Sequence, residues 1–324
     1  MDNRAANAEN RSWAYRAAIY STLVSVLGYL AFSLWGGWQE VGAALARVGL
    51  AGLAFALGMS LLNYLLRFLR WQCYLVALGH ALAWRPSLRI YLAGFALSAT
   101  PGKIGETLRS GLLKHHGVPY SRSLAALLSE RLSDLLTITG LAAIGLGHYP
   151  QTRPMAMAGL VIILVTLFLL AQHRLLQRAL RWFEGRRGRL VALAQQAFAL
   201  LLDARRCHTP LLLAGGSLLS LAGWGAEALA FHFLLQWLGA EVSLAFSLFV
   251  YAASTLAGAL SFMPGGLGGT EAVMVALLVS SGVAQPDAIA VTLVIRLATL
   301  WFAVGIGAIA LGRSQPAGRS RPVR

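Results

Sequence analysis

Long apolar runs separated by arginine-rich connections set the pattern of this chain. Runs at 17–37, 48–70, 122–147, 155–172, 210–238 and 288–311 predict six spanning helices. Each approaches or exceeds the roughly 20 residues that a helix needs to cross a hydrocarbon core. Lipid offers no partner to a free backbone group, so each run must be helical. Two further apolar stretches, 88–115 and 247–281, are too short to cross twice. Each is interrupted near its middle, by Pro101-Gly102 and by Pro264-Gly265, and each predicts a re-entrant hairpin of two half-helices. Residues 174–207 interleave arginines with Leu, Val and Phe, the pattern of an amphipathic helix lying on a membrane surface. The expected fold is therefore all-α and integral to a membrane. A polar tail at 1–16 precedes a transmembrane domain at 17–311, and a basic tail follows at 312–324.

Composition excludes a soluble domain: 57% of the residues are hydrophobic and only 12% are charged, about half the usual charged share. The net charge of +15 would suggest nucleic acid in a soluble chain. Here the basic residues sit between apolar runs, so they report orientation and contact with anionic lipid instead. Cys73 and Cys207 form no CxxC pair, which argues against a disulfide framework or a zinc site. The first run lacks a small-residue cleavage site and ends in Leu34-Trp35-Gly36-Gly37-Trp38, so it reads as a retained span.

Loop charge orients the chain. One set of connections carries Arg85, Arg89, Lys114, Arg122 and eight arginines between Arg174 and Arg206, and the tail adds Arg313, Arg319, Arg321 and Arg324. The opposite set carries only Arg47 and Arg153. Six spans with both termini in the cytoplasm put every basic segment on one side.

The two Pro-Gly hairpins are related. Leu75, Leu78, Gly79, Ser87, Leu88 and Tyr91 recur 160 positions later as Leu235, Leu238, Gly239, Ser247, Leu248 and Tyr251. Pro101, Gly102 and Gly105 match Pro264, Gly265 and Gly268, and Gly117, Val118, Ala125, Leu128 and Arg131 match Gly282, Val283, Ala290, Leu293 and Arg296. Repeat one covers about 17–147 and repeat two about 155–311. Three crossings per repeat is an odd number, so the second is expected to be inverted. That architecture is common in transporters that hold substrate near the midplane.

The first hairpin reads Pro101-Gly102-Lys103-Ile104-Gly105-Glu106-Thr107-Leu108-Arg109. A half-helix starting there would direct free amide donors and a positive dipole end inward, a setting that stabilises phosphate. Lys103 and Arg109 add full charges. The second, Pro264-Gly265-Gly266-Leu267-Gly268-Gly269-Thr270-Glu271, has the same backbone device without a cation. Both also fit a flexible glycine-rich kink with no ligand. The third span carries Glu130, Arg131 and Asp134, the last carries Arg296, and Glu227 stands where the first repeat has Arg67. Charges at such depth need partners or a wet cavity. They read either as a structural ion-pair network or as arginines facing a lipid phosphate. Arg67 and Arg70, near a predicted helix end, are expected to snorkel to the interface. Enzyme signals are poor. HExxH is missing, and Ser217 and His232, fifteen residues apart on one helix, lie about 22 Å from each other. His115-His116 reads as surface loop, and Trp and Tyr near span ends as interface anchors. No cofactor or metal is expected.

Arg70-Trp71, the Pro101-Gly102-x-Ile104-Gly105-Glu106 element with Arg109, Glu130-Arg131-x-x-Asp134, Pro264-Gly265-Gly266-x-Gly268-x-x-Glu271 and Arg296 together resemble the flippase-like membrane domain family. This is the lysylphosphatidylglycerol synthase transmembrane region, also called UPF0104, and the resemblance covers about 17–311. It implies a lipid-translocating domain in the bacterial cytoplasmic (inner) membrane, with an anionic, phosphate-bearing lipid as its partner. Two-part members move an aminoacylated lipid made by a fused synthase. This chain ends soon after its last apolar run, so aminoacyl transfer is not expected, and any lipid-modifying enzyme would be a separate partner. A membrane enzyme of envelope lipid or glycolipid synthesis, and a transporter of a small soluble anion, remain open alternatives.

Overall fold

A computed structural model describes residues 37–99, 105–144, 153–183, 188–261 and 263–313. Their regular structure is entirely helical. In chain order the helices are α1 Trp38–Ala77, α2 Trp84–Ala93, α3 Gly105–Lys114, α4 Tyr120–Ala143, α5 Arg153–Ala171 and α6 His173–Trp182. They continue with α7 Arg189–Ala204, α8 Pro210–Trp237, α9 Leu244–Leu260, α10 Gly269–Ser280, α11 Gln285–Arg296 and α12 Phe302–Arg313.

Among the described residues, three helices are long and apolar enough to cross a membrane: α1, α8, and the 29 residues of α11 and α12 joined by a π-turn at Leu297–Trp301. The chain is a membrane protein built around them. α4 has 24 residues, enough to cross, but carries Glu130, Arg131 and Asp134 in its middle. The predicted span at 155–172 corresponds to α5, which bends by 76° into α6. The predicted run at 17–37 lies outside the described residues except for Gly37. α9 and α10, of 17 and 12 residues, rise only about 25 and 18 Å and flank the turn at Pro264–Gly266.

The 40-residue α1 is bent at Gly49, whose φ of 59° and ψ of −173° suit a residue without Cβ. Before the bend, Val41, Ala44 and Val48 face inward at helical spacing. Beyond it, Ser60, Asn63 and Arg70 are buried while Leu61, Leu65 and Leu69 are exposed. Polar-inside, apolar-outside is the reverse of a soluble helix and matches a lipid surround. α8 starts at a Thr209 cap, whose Oγ1 accepts from the Leu212 N–H at 3.4 Å, with Pro210 in the first turn. It presents Gly216, Ser220 and Gly223 to α1, where a Cβ on Gly216 would lie 2.6 Å from the Tyr74 hydroxyl. Small residues at this spacing let two helices approach closely in lipid.

Helix boundaries recur along the chain. The straight part of α1, 50–77, and α8, 210–237, have the same length at the same offset of 160. Both end in a glycine of positive φ, Gly79 at 84° and Gly239 at 80°. The following amides fold back identically, His80 N to Leu75 O and Ala240 N to Leu235 O, the hydrogen bonds of a glycine-capped helix end. α3 and α10 end likewise at Gly117 and Gly282, and α4 and α11 begin three residues later, at Tyr120 and Gln285.

A charged cavity beside the second helix break

A cavity of about 590 Å³ opens among α1, α4, α8, α9 and the α11–α12 junction. Its wall includes Ser98 beside the first Pro-Gly break and Gly265 and Gly266 of the second. The described chain leading toward Pro101 reaches the second break: a Cβ on Gly265 would stand 3.3 Å from the Ala99 Cα.

One wall is strongly basic. Asp134 takes Arg70 at 2.8 Å, Arg67 at 3.4 Å and Arg131 at 3.7 Å, and accepts from the Trp224 indole N–H at 3.1 Å. Arg70 is wholly buried and also donates to the Ser220 hydroxyl. Arg67 lies with its guanidinium 5.4 Å from the Trp224 ring centroid. Three guanidiniums thus share one carboxylate. Arg131 is the most open of the three, with 32% of its side chain exposed, and it lines the cavity.

The second break is clamped. Gly265, Gly266 and Gly268 have φ of 61°, 70° and 80°, a sequence of left-handed residues that side chains other than hydrogen resist. Arg296 donates from Nε to Glu271 at 2.7 Å and from its guanidinium to the Gly265 carbonyl at 2.7 Å. Just after Arg296, the π-turn leaves the Ala298 and Thr299 carbonyls to accept from the Tyr64 hydroxyl, at 3.3 and 2.8 Å. Such turns frequently mark functional sites.

Around the first break, Pro101, Gly102 and Lys103 lie outside the described residues. Gly105 and Glu106 open α3. Arg109 donates to Glu130 at 3.0 Å and lies 5.0 and 4.8 Å from the Trp71 and Tyr91 ring centroids. Glycine at position 94 leaves room for it, because a Cβ there would come within 2.6 Å of its Nε.

Glu227 faces the cavity from α8. It accepts from the Tyr251 hydroxyl at 2.5 Å, and no ion pair to it occurs among the described residues.

The structure therefore brings Arg109, Arg131, Asp134, Glu227, Gly265, Gly266 and Arg296 to one cavity. Glu130 and Glu271 stand behind it as partners of Arg109 and Arg296, and Gly268 completes the second break. The pairings differ from those expected of a five-residue network: Arg296 takes Glu271, and Glu130 takes Arg109. Arg67 and Arg70, expected at the interface, are buried on Asp134. Tyr64 and Trp224 were not singled out by sequence, and Tyr251 only as the repeat match of Tyr91, yet all three line the cavity. Their signal was position: Tyr64 and Trp224 sit 160 apart in mid-helix, away from the span ends that aromatic anchors favour.

A family model for the lysylphosphatidylglycerol synthase TM region matches residues 18–307. A UPF0104 membrane protein of Methanothermobacter thermautotrophicus is 25% identical over 308 residues, covering 90% of this chain and 91% of its own length. A second from the same organism is 24% identical over 314 residues, covering 89% and 93%. A UPF0104 membrane protein of Pyrococcus horikoshii is 36% identical over 86 residues, 26% of each chain.

Proposed function

Because the chain belongs to the lysylphosphatidylglycerol synthase TM region family, a membrane family tied to lipid handling, we propose that it is a flippase that carries a phosphate-bearing anionic lipid between leaflets. The observation that carries this reading is the basic wall of the cavity. Arg67, Arg70 and Arg131 gather on Asp134, and Arg67 and Arg131 line the open volume. Arginine pairs bidentately with phosphate oxygens, so a phosphate in this volume would meet guanidiniums on its wall. Arg109 and Arg296, each already on a glutamate, shape the site.

A lipid is favoured over a soluble anion by a second feature. The α4–α8 seam, whose Asp134 and Trp224 line the cavity, also carries an apolar groove of about 450 Å³ with Leu141, Leu218 and Leu221 in its wall. A headgroup in the cavity and an acyl chain along this seam would each meet matching surroundings.

In this reading the recurring helix ends reflect two inverted repeats, each built of spans around a re-entrant broken helix, so that the two breaks enter from opposite leaflets. The ends of the fold support the orientation. Arg122 donates to the Leu78 carbonyl at 3.0 Å and Cys207 approaches the Tyr74 carbonyl at 3.9 Å, which gathers the arginine-rich turns at one end. Arg47 pairs with Asp287 and donates to the Leu238 carbonyl at the other. The basic end would face the cytoplasm.

The test is lipid movement by purified protein in liposomes. A fluorescent phosphatidylglycerol or polyprenyl phosphate should cross faster than a neutral diglyceride analogue, relative to empty liposomes and heat-inactivated protein. Equal rates for anionic and neutral lipids would overturn the reading. Headgroup chemistry without movement would favour a membrane enzyme.

A further inference from the structure

Glu227 is the carboxylate that the phosphate-binding reading leaves without a task. It is 3% exposed, lines the cavity and stands at the position matching Arg67, 160 residues apart. On α4, Asp134 holds three guanidiniums within 4 Å. Glu130 and Glu271 each hold one. Glu227 has only the Tyr251 phenol, at 2.5 Å, and no cation within ion-pair distance among the described residues. A carboxylate so placed within a spanning helix is costly unless it has work to do.

The groups that face it can be named element by element. Tyr64 and Arg67 on α1, Arg109 on α3, Arg131 and Asp134 on α4, Tyr251 on α9 and Arg296 on α11 line the same cavity, and Tyr251 touches Glu227. Arg205, Arg206 and His208 precede the far end of α8, about 28 Å along the axis. Among the described residues, the cations on the cavity wall are Arg67, Arg109, Arg131 and Arg296, which are already on Asp134, Glu130, Asp134 and Glu271.

We propose that Glu227 is a proton-binding site coupled to the anionic headgroup, so that one proton accompanies each lipid through the cavity. This rests on the lipid-carrier reading and adds its energy coupling. The physics is charge balance. An anion entering the cavity meets the Glu227 carboxylate in a setting of low dielectric, where like charges repel strongly. Protonating Glu227 removes that repulsion while the basic wall still attracts the phosphate. Lipid and proton therefore bind with mutual preference, and by linkage each raises the affinity for the other. The proton adds to a carboxylate oxygen from one aqueous face and leaves from the same oxygen when the cavity opens to the other. No bond other than O–H forms or breaks. The Tyr251 hydroxyl, donating to the other carboxylate oxygen, fixes the rotamer in both states.

The experiment has two arms on the full chain. In the first, short-chain phosphatidylglycerol is added to detergent-solubilised protein in weakly buffered medium, and proton uptake is read with a pH dye alongside lipid binding. In the second, liposomes holding the protein and fluorescent phosphatidylglycerol are given a pH gradient of one unit in either direction. The expected result is about one proton taken up per lipid bound. Lipid movement should also accelerate severalfold when the loading side is acidic and slow when the gradient is reversed. Glu227→Gln should bind lipid with no proton uptake and show no response to the gradient, whereas Glu227→Asp should retain both responses. Lipid binding without proton uptake, or a gradient response preserved in Glu227→Gln, overturns the inference and leaves the carrier reading standing. Failure of the unmodified protein to bind or move any anionic lipid overturns both.

Discussion

Arg70 and Asp134 meet at 2.8 Å with the arginine side chain wholly buried, and this pair ties α1 to α4 at the level of the cavity. Removing the carboxylate would leave Arg67, Arg70 and Arg131 facing one another. Breaking a buried pair by deleting one partner costs about 3–5 kcal/mol. Asp134→Asn should therefore lower the yield of folded protein and its thermal midpoint in detergent. A variant as stable as the parent would show that the cluster bears no structural load.

Arg131→Gln should behave differently. Asp134 keeps Arg70 and Arg67 as partners, and Arg131 is its longest contact at 3.7 Å. The fold should survive with an unchanged thermal midpoint, while movement of anionic lipid in liposomes falls by about an order of magnitude, the loss of one charge-assisted contact. Loss of folding together with transport would make Arg131 a structural ion-pair member instead.

Gly307 lets α12 lie directly on the turn at 94–97 next to the first break, since a Cβ there would stand 2.6 Å from the Phe95 carbonyl carbon. Backbone cannot give way as a side-chain tip can. Gly307→Ala should cost about 1–3 kcal/mol, the range for overpacking a fitted contact. Gly305→Ala, with nothing within 4 Å of its built Cβ, should be neutral. Thermal unfolding of the two variants side by side decides the point.

Orientation is open to labelling. With Cys73 and Cys207 replaced, single cysteines at His115 and Arg181 should be protected from an impermeant thiol reagent in intact cells, and one at Ser243 should react. Labelling at position 181 from outside would place the arginine-rich helices on the wrong side for the proposed topology.

The spans at 48–70, 210–238 and 288–311 and the break at Pro264-Gly265 were legible because hydropathy and Pro-Gly punctuation are local properties of the chain. The helical segment before Gly49 was not. Its burial depends on Val41, Ala44 and Val48 meeting the second half of the chain, and its arginine at 47 reads from sequence as a loop charge. Arg67 and Arg70 were misplaced for a related reason. The apolar run stops at Arg70, whereas the helix continues to Ala77, because Asp134 on another helix supplies the partner that lipid cannot. Which acid pairs with which base is a property of packing across helices. Spacing within one helix carries one such pair, Arg131 with Asp134 three residues on.

Arg296 makes two directed contacts, Nε to Glu271 and the outer guanidinium nitrogen to the Gly265 carbonyl, both at 2.7 Å. Together they fasten the second break to α11, one residue before the π-turn. A lysine carries the same charge but has a single nitrogen, and it lacks the planar fork that reaches an acid and a carbonyl together. Arg296→Lys should keep the Glu271 ion pair and release the Gly265 carbonyl. The run from Gly265 to Gly268 would then lose the contact that holds its left-handed backbone against the cavity. The expected outcome is faster amide exchange across 263–270 with little change at 285–296, and lipid movement reduced about tenfold. Arg296→Gln should also remove the Glu271 ion pair and lower the thermal midpoint as well. If Arg296→Lys moves lipid at the parental rate with unchanged exchange, charge alone suffices at this position and the clamp has no part in transport.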